Sequence, residues 1–147
     1  MSESLESLIA CGTKLWLDSI DPELVKRTLA YATSAEIRSQ DAPILIRLLM
    51  QRPWASTATW DHLKGNWDRV ERAFGIFQGI PAVVASMEHL CDAASKNEVE
   101  RFFSARSVDG IDRTLRQSLE RIDRCTATRS AQAKNLAAFL AAAAASP

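Results

Sequence analysis

Histidine is almost missing from this chain: two of its 147 residues, His62 and His89, carry an imidazole. A zinc site needs three or four converging ligands, and His89 lies two residues from Cys91, a spacing that cannot share one helical face. His62 has Asp61 beside it, but adjacent helix positions diverge, so the plainer reading is a histidine on a helix surface. Net charge is missing too, since eighteen basic residues balance eighteen acidic ones. Such a chain has no global field to hold a polyanion, which argues against a nucleic-acid partner. No apolar run approaches the roughly 18 residues of a membrane span. The acidic start Met-Ser-Glu-Ser-Leu-Glu lacks the basic end and apolar stretch of a signal peptide. The three cysteines, Cys11, Cys91 and Cys125, form no C-x-x-C pair and no plausible disulfide framework. They read as buried free thiols in a reducing compartment, and the chain as read is expected to be cytoplasmic.

Glycine and proline are scarce, five each, and strand-like alternation is nearly absent. What is present is helical spacing. Val25, Leu29 and Ala32 follow i, i+4, i+7 after Asp21-Pro22, where Asp21 suits a cap and Pro22 the first turn. Asp41 before Pro43 repeats the arrangement, with Ile44, Leu45, Leu48 and Leu49 expected on one side. Pro53 stops that helix. Ser56 or Thr57 is expected to cap the next, which bears Trp60 and Leu63 and ends at Gly65-Asn66; Trp67, Val70, Phe74 and Phe77 continue beyond the break. Gly79 and Pro81 restart the chain for Val83, Val84, Met87, Leu90 and Cys91. Asn97 is expected to cap a short helix with Val99, Phe102 and Phe103. Asp109-Gly110 opens a longer one through Ile122, and a last helix carries Leu136, Phe139 and Leu140. The class is all-α, with about eight or nine helices in hairpins, a pattern shared by stacked solenoids and compact bundles. The 47% hydrophobic content suits one helical domain over 1–147.

No nucleophile elbow, phosphate loop, H-E-x-x-H helix or dinucleotide fingerprint occurs in the sequence. The carboxylate pairs Glu98 with Glu100 and Glu120 with Asp123 read as solvated helix faces. Arg113, Arg116, Arg121, Arg124 and Arg129 recur through the C-terminal part. They form either a charged face or a groove for acidic groups such as a peptide carboxylate. The tryptophans are not interleaved with basic residues as in single-strand nucleic-acid grooves. Trp60 and Trp67 read as packing anchors on two helices.

The order of these motifs resembles the C-terminal helical domain of the aminopeptidase N family of zinc aminopeptidases, which includes the puromycin-sensitive and endoplasmic-reticulum enzymes. The resemblance spans about 22–140. It is carried by Arg38, Gln40 and Asp41, by Trp60 with Asn66, Trp67 and Asp68, by Phe102 and Phe103, and by Leu119 to Ile122. Departures occur at Ala55-Ser56, where Gly-Arg is common, at Thr128 for a tryptophan, and at His62 for an apolar aromatic. The resemblance implies a superhelix of HEAT-like or armadillo-like hairpins. It also implies a non-catalytic portion of an enzyme whose zinc, held by an H-E-x-x-H helix, lies in an upstream domain. The chain itself is then expected to hold no cofactor. Its partners would be the catalytic domain of the same polypeptide and the peptide substrate, with Arg113 and Arg116 as candidate peptide-facing residues. The alternative is a free-standing helical-repeat adaptor for a protein partner.

Overall fold

A computed structural model of the chain describes residues 21–74 and 79–144. The expectations for Cys11, Phe77 and the first twenty residues lie outside this range. Among the described residues the fold is all-helical. Its helices are α1 (Pro22–Ala32), α2 (Ala42–Met50), α3 (Ser56–Gly65), α4 (Trp67–Phe74), α5 (Gly79–Ser86), α6 (Ala93–Ser104) and α7 (Asp112–Ala144), with a 3-10 turn at Met87–His89.

Local chemistry sets most boundaries. Asp21 is extended, and its carboxylate accepts from Glu23 N at 2.9 Å, so the expected cap of α1 forms. Asp41 does not cap with its side chain: its backbone is already αR, inside a turn in which Asp41 N and Ala42 N donate to Arg38 O. Neither Ser56 nor Thr57 caps α3. The N-cap position falls to Ala55, held by a turn on Arg52 O. Asn97 lies inside α6, which starts earlier because Asp92 is extended and its carboxylate accepts from Ser95 N (2.8 Å) and Ser95 Oγ (2.6 Å). Gly110 takes φ +77, the left-handed turn that sends the chain into α7.

Two further expectations are corrected. On α2 it is Ile46, not Ile44, that joins Leu45 and Leu49 in the core; Ile44 is 47% exposed. The separate last helix does not exist. α7 runs unbroken for 33 residues because no glycine or proline interrupts 112–144, giving a rod about 50 Å long at 1.5 Å per residue.

Packing joins sequence neighbours and also brings distant helices together. α2 packs on α3 and α5, α5 on α7, and α6 on α7, while α1 rests on α2 and α3. One core collects Leu29, Ile46, Leu49, Trp60, Leu63, Val70, Phe74, Val83, Val84, Met87 and Ile122. A Cβ on Gly79 would lie 2.8 Å from Phe74 Cβ, so this glycine lets α5 approach the end of α4. Ser118, buried in α7, donates to Val84 O at 3.0 Å and so satisfies a hydroxyl inside the α5–α7 contact.

The cysteine expectation is overturned in part: Cys91 and Cys125 form a disulfide, with Cα atoms 5.3 Å apart. They are 34 positions apart in sequence, but the 3-10 turn just before Cys91 lies against α7. Beyond this bond α7 leaves the packed body, and 127–143 are exposed throughout. Leu136, Phe139 and Leu140 are 58%, 68% and 56% exposed.

Candidate interaction surface

The tryptophans that bracket the Gly65-Asn66 break meet on one aromatic cluster. α3 stops at Gly65, and Asn66 Nδ2 donates to His62 O at 2.8 Å, closing the last turn. α4 starts at once with Trp67. Trp60 and Trp67 therefore sit on successive helices and converge on Phe102 and Phe103 of α6. Ring centroids are 5.2 Å apart for Trp60–Phe102 and 5.1 Å for Trp67–Phe103, both edge-to-face. Such pairs contribute about 0.5–1.5 kcal/mol each beyond their buried area. Trp60 and Trp67 are buried, so neither is a stacking surface for a ligand. Trp67 Nε1 is buried with no hydrogen-bond partner among the described residues, which is a cost that the ring contacts offset.

Glu98 latches this cluster. Its carboxylate accepts from Trp60 Nε1 at 2.9 Å and from Lys64 Nζ at 2.6 Å. The reading of Glu98 as a solvated face is therefore replaced: it lies where α6 crosses α3. Lys64 also pairs with Asp61 at 2.8 Å. Burial pulls the Lys64 ammonium downward, but hydrogen bonds and charge from Asp61 and Glu98 outweigh it, so its pKa is raised. Glu120 is exposed, while Asp123 pairs with Lys96 across α6 and α7 at 2.6 Å.

A groove of about 360 Å³ opens between α1 and α3, with Val25, Leu29 and Ala58 among its apolar lining and Glu23, Lys26, Asp61 and Trp54 around them. His62 lines the same groove and is half-buried, not a free surface histidine. Its Nε2 stands 3.1 Å from Thr33 Oγ1 at the end of α1. Burial first, and then the charge of Arg69, push its pKa down from 6.5.

The other sequence candidates do not gather there. Arg38 and Gln40 are exposed and Asp41 is half-buried in the turn before α2; Asp68 is exposed in the first turn of α4. Arg113 and Arg116 are exposed on α7, on an element that contributes nothing to the groove lining. Farther along α7, Arg121 pairs with Glu88, and Arg129 donates to Cys91 O at 3.5 Å. The five arginines thus divide between surface positions and tethers. Among the described residues no three His, Cys, Asp or Glu side chains converge, and Cys91 and Cys125 are bonded to each other. These residues do not fit a zinc ion.

Comparison with known sequences identifies the family. A sequence model of the ERAP1-like C-terminal domain matches residues 18–124. The chain belongs to that family. It is 35% identical over 124 residues to Aminopeptidase M1-C of Oryza sativa subsp. japonica, covering 82% of this chain and 13% of that protein. It is 34% identical over 107 residues to Aminopeptidase M1 of Arabidopsis thaliana, covering 69% of this chain and 12% of that protein. Aminopeptidase 2, mitochondrial, of Saccharomyces cerevisiae is 27% identical over 104 residues, 69% of this chain and 11% of the relative. The chain thus spans about an eighth of the length of these relatives. The aromatic cluster lies wholly within the matched residues, and the exposed end of α7 lies beyond them. No helix among the described residues is long and apolar enough to cross a membrane.

Two outcomes are expected. Glu98→Ala strips a buried indole N–H and a lysine of their acceptor and should destabilise the chain by about 1–3 kcal/mol in urea unfolding, with Glu98→Gln costing less because it keeps an acceptor. For His62, a lowered folded-state pKa means the unfolded chain takes up the proton first. Stability is therefore full above about 6.5 and falls as the pH drops through the lowered folded-state value. Urea midpoints at pH 7.5 and 5 should differ more for the natural chain than for His62→Gln; equal differences would contradict the assignment.

Proposed function

We propose that the chain is a non-catalytic C-terminal portion of a zinc-dependent aminopeptidase that removes N-terminal residues from peptides. In that enzyme it packs against the catalytic domain and shapes peptide access. The observation that carries this reading is the family match over 18–124, joined by relatives named as aminopeptidases along only about an eighth of their length. The zinc belongs to the upstream catalytic domain that the resemblance implies, and no step of the chemistry is assigned to these residues. Stacked HEAT-like hairpins and one helical domain over 1–147 are parts of the same proposal, as is a cytoplasmic setting, where the Cys91–Cys125 bond would be held reduced. The contacts of α2 with α3 and α5 support a helical stack. Arg113 and Arg116 are proposed to face peptide, because both are exposed within the matched region and a guanidinium suits a carboxylate.

One experiment has two arms. The 147-residue chain, assayed on aminoacyl-amide substrates with added zinc, should show no turnover; turnover abolished by a chelator would contradict the non-catalytic reading. In the enzyme that carries the chain, Arg113→Ala with Arg116→Ala should shift peptide-length preference several-fold and leave short chromogenic substrates unchanged. An unchanged length profile would return both arginines to a solvated face.

A further inference from the structure

The Cys91–Cys125 bond sits where α7 leaves the packed body. Before it, Ile122 is fully buried, Asp123 pairs with Lys96, and Arg121 pairs with Glu88 in the 3-10 turn. After it, residues 127–143 are exposed. The bond thus ties the last packed turn of the rod to the segment between the 3-10 turn and α6.

Two features bear on exchange at this bond. Both cysteines are only partly buried. Arg129 stands one helical turn beyond Cys125 and donates to Cys91 O, so a cation lies beside the backbone of one partner in the bond.

We propose that Cys91–Cys125 is a thiol-exchange site, with a dithiol reductant as its co-reactant, and that its redox state sets how firmly the exit of α7 is held. One thiolate of the dithiol attacks a sulfur of the pair; the Cys91–Cys125 bond breaks, and the departing sulfur leaves as thiolate and takes a proton. The second thiolate of the reagent then displaces the remaining cysteine. The protein gains two electrons and two protons as two thiols, and the reagent becomes a disulfide. Reoxidation reverses the sequence. With the bond open, the segment around Leu119 to Arg129 keeps Ile122 and two ion pairs but loses its covalent hold. The proposal does not depend on the aminopeptidase reading.

The test uses the full chain, equilibrated in reduced and oxidised dithiothreitol, quenched in denaturant with N-ethylmaleimide and weighed. The oxidised protein should carry one label and the reduced protein three, since the sequence has three cysteines. Hydrogen exchange over 119–129 should quicken about tenfold on reduction, while 22–50 stays unchanged. Cys91→Ser with Cys125→Ser, which keeps one cysteine, should show the hydrogen exchange of the reduced protein in every buffer. Three labels under all oxidising conditions, one label after native treatment with millimolar dithiol, or equal exchange in both states would each overturn the proposal.

Discussion

Four rings and one carboxylate hold the middle of this molecule together. Trp60 and Trp67 come from helices separated by a single residue, and Phe102 and Phe103 are neighbours on α6. None of these elements could settle alone. α4 has eight residues, well below the length at which an isolated helix is stable in water. It persists because Trp67, Val70 and Phe74 bury one face. The Gly65-Asn66 break turns α3 into α4 while leaving both tryptophans on the inner side. Glu98 then answers the one polar atom of Trp60 that the core would otherwise strand. The cluster is therefore a packing centre, with Trp60, Trp67 and Phe103 buried and Phe102 partly so.

The rest of the fold builds outward from that centre. α5 approaches α4 through Gly79 and passes the contact to α7, where Ser118 and Ile122 complete the core. α7 is held first by packing, next by ion pairs to Glu88 and Lys96, and last by a disulfide. Farther out, Arg129 still reaches Cys91 O, but residues 127–143 are exposed, Phe139 and its neighbours among them. Burial along this helix thus gives way to exposure, and the disulfide stands at the change.

Much of this was legible in the residues. Helical spacing of apolar side chains, the Asp21-Pro22 start and the Gly65-Asn66 break located α1, α3 and α4. The paired tryptophans read correctly as anchors because they straddle a break and are not interleaved with basic residues. Family membership was legible from the ordered motifs and is supported by the match over 18–124. Other features were hidden for physical reasons. Glu98 sits in a charged helix where every carboxylate looks solvated, and only the crossing of α6 over α3 singles it out. Cys91 and Cys125 have no spacing signature, since their proximity comes from tertiary packing. Asp92 was readable as a cap, three residues before Ser95, but Asn97 drew the helix start too far along. The continuity of α7 was legible as well, from the lack of any glycine or proline in it.

The central claim is that Trp67 serves as a packing anchor coupled to α6. A double-mutant cycle with Trp67→Leu and Phe103→Leu, read by urea unfolding, tests it most directly. Direct ring contact predicts a coupling of about 1 kcal/mol. Additive losses, with no coupling beyond about 0.3 kcal/mol, would contradict it.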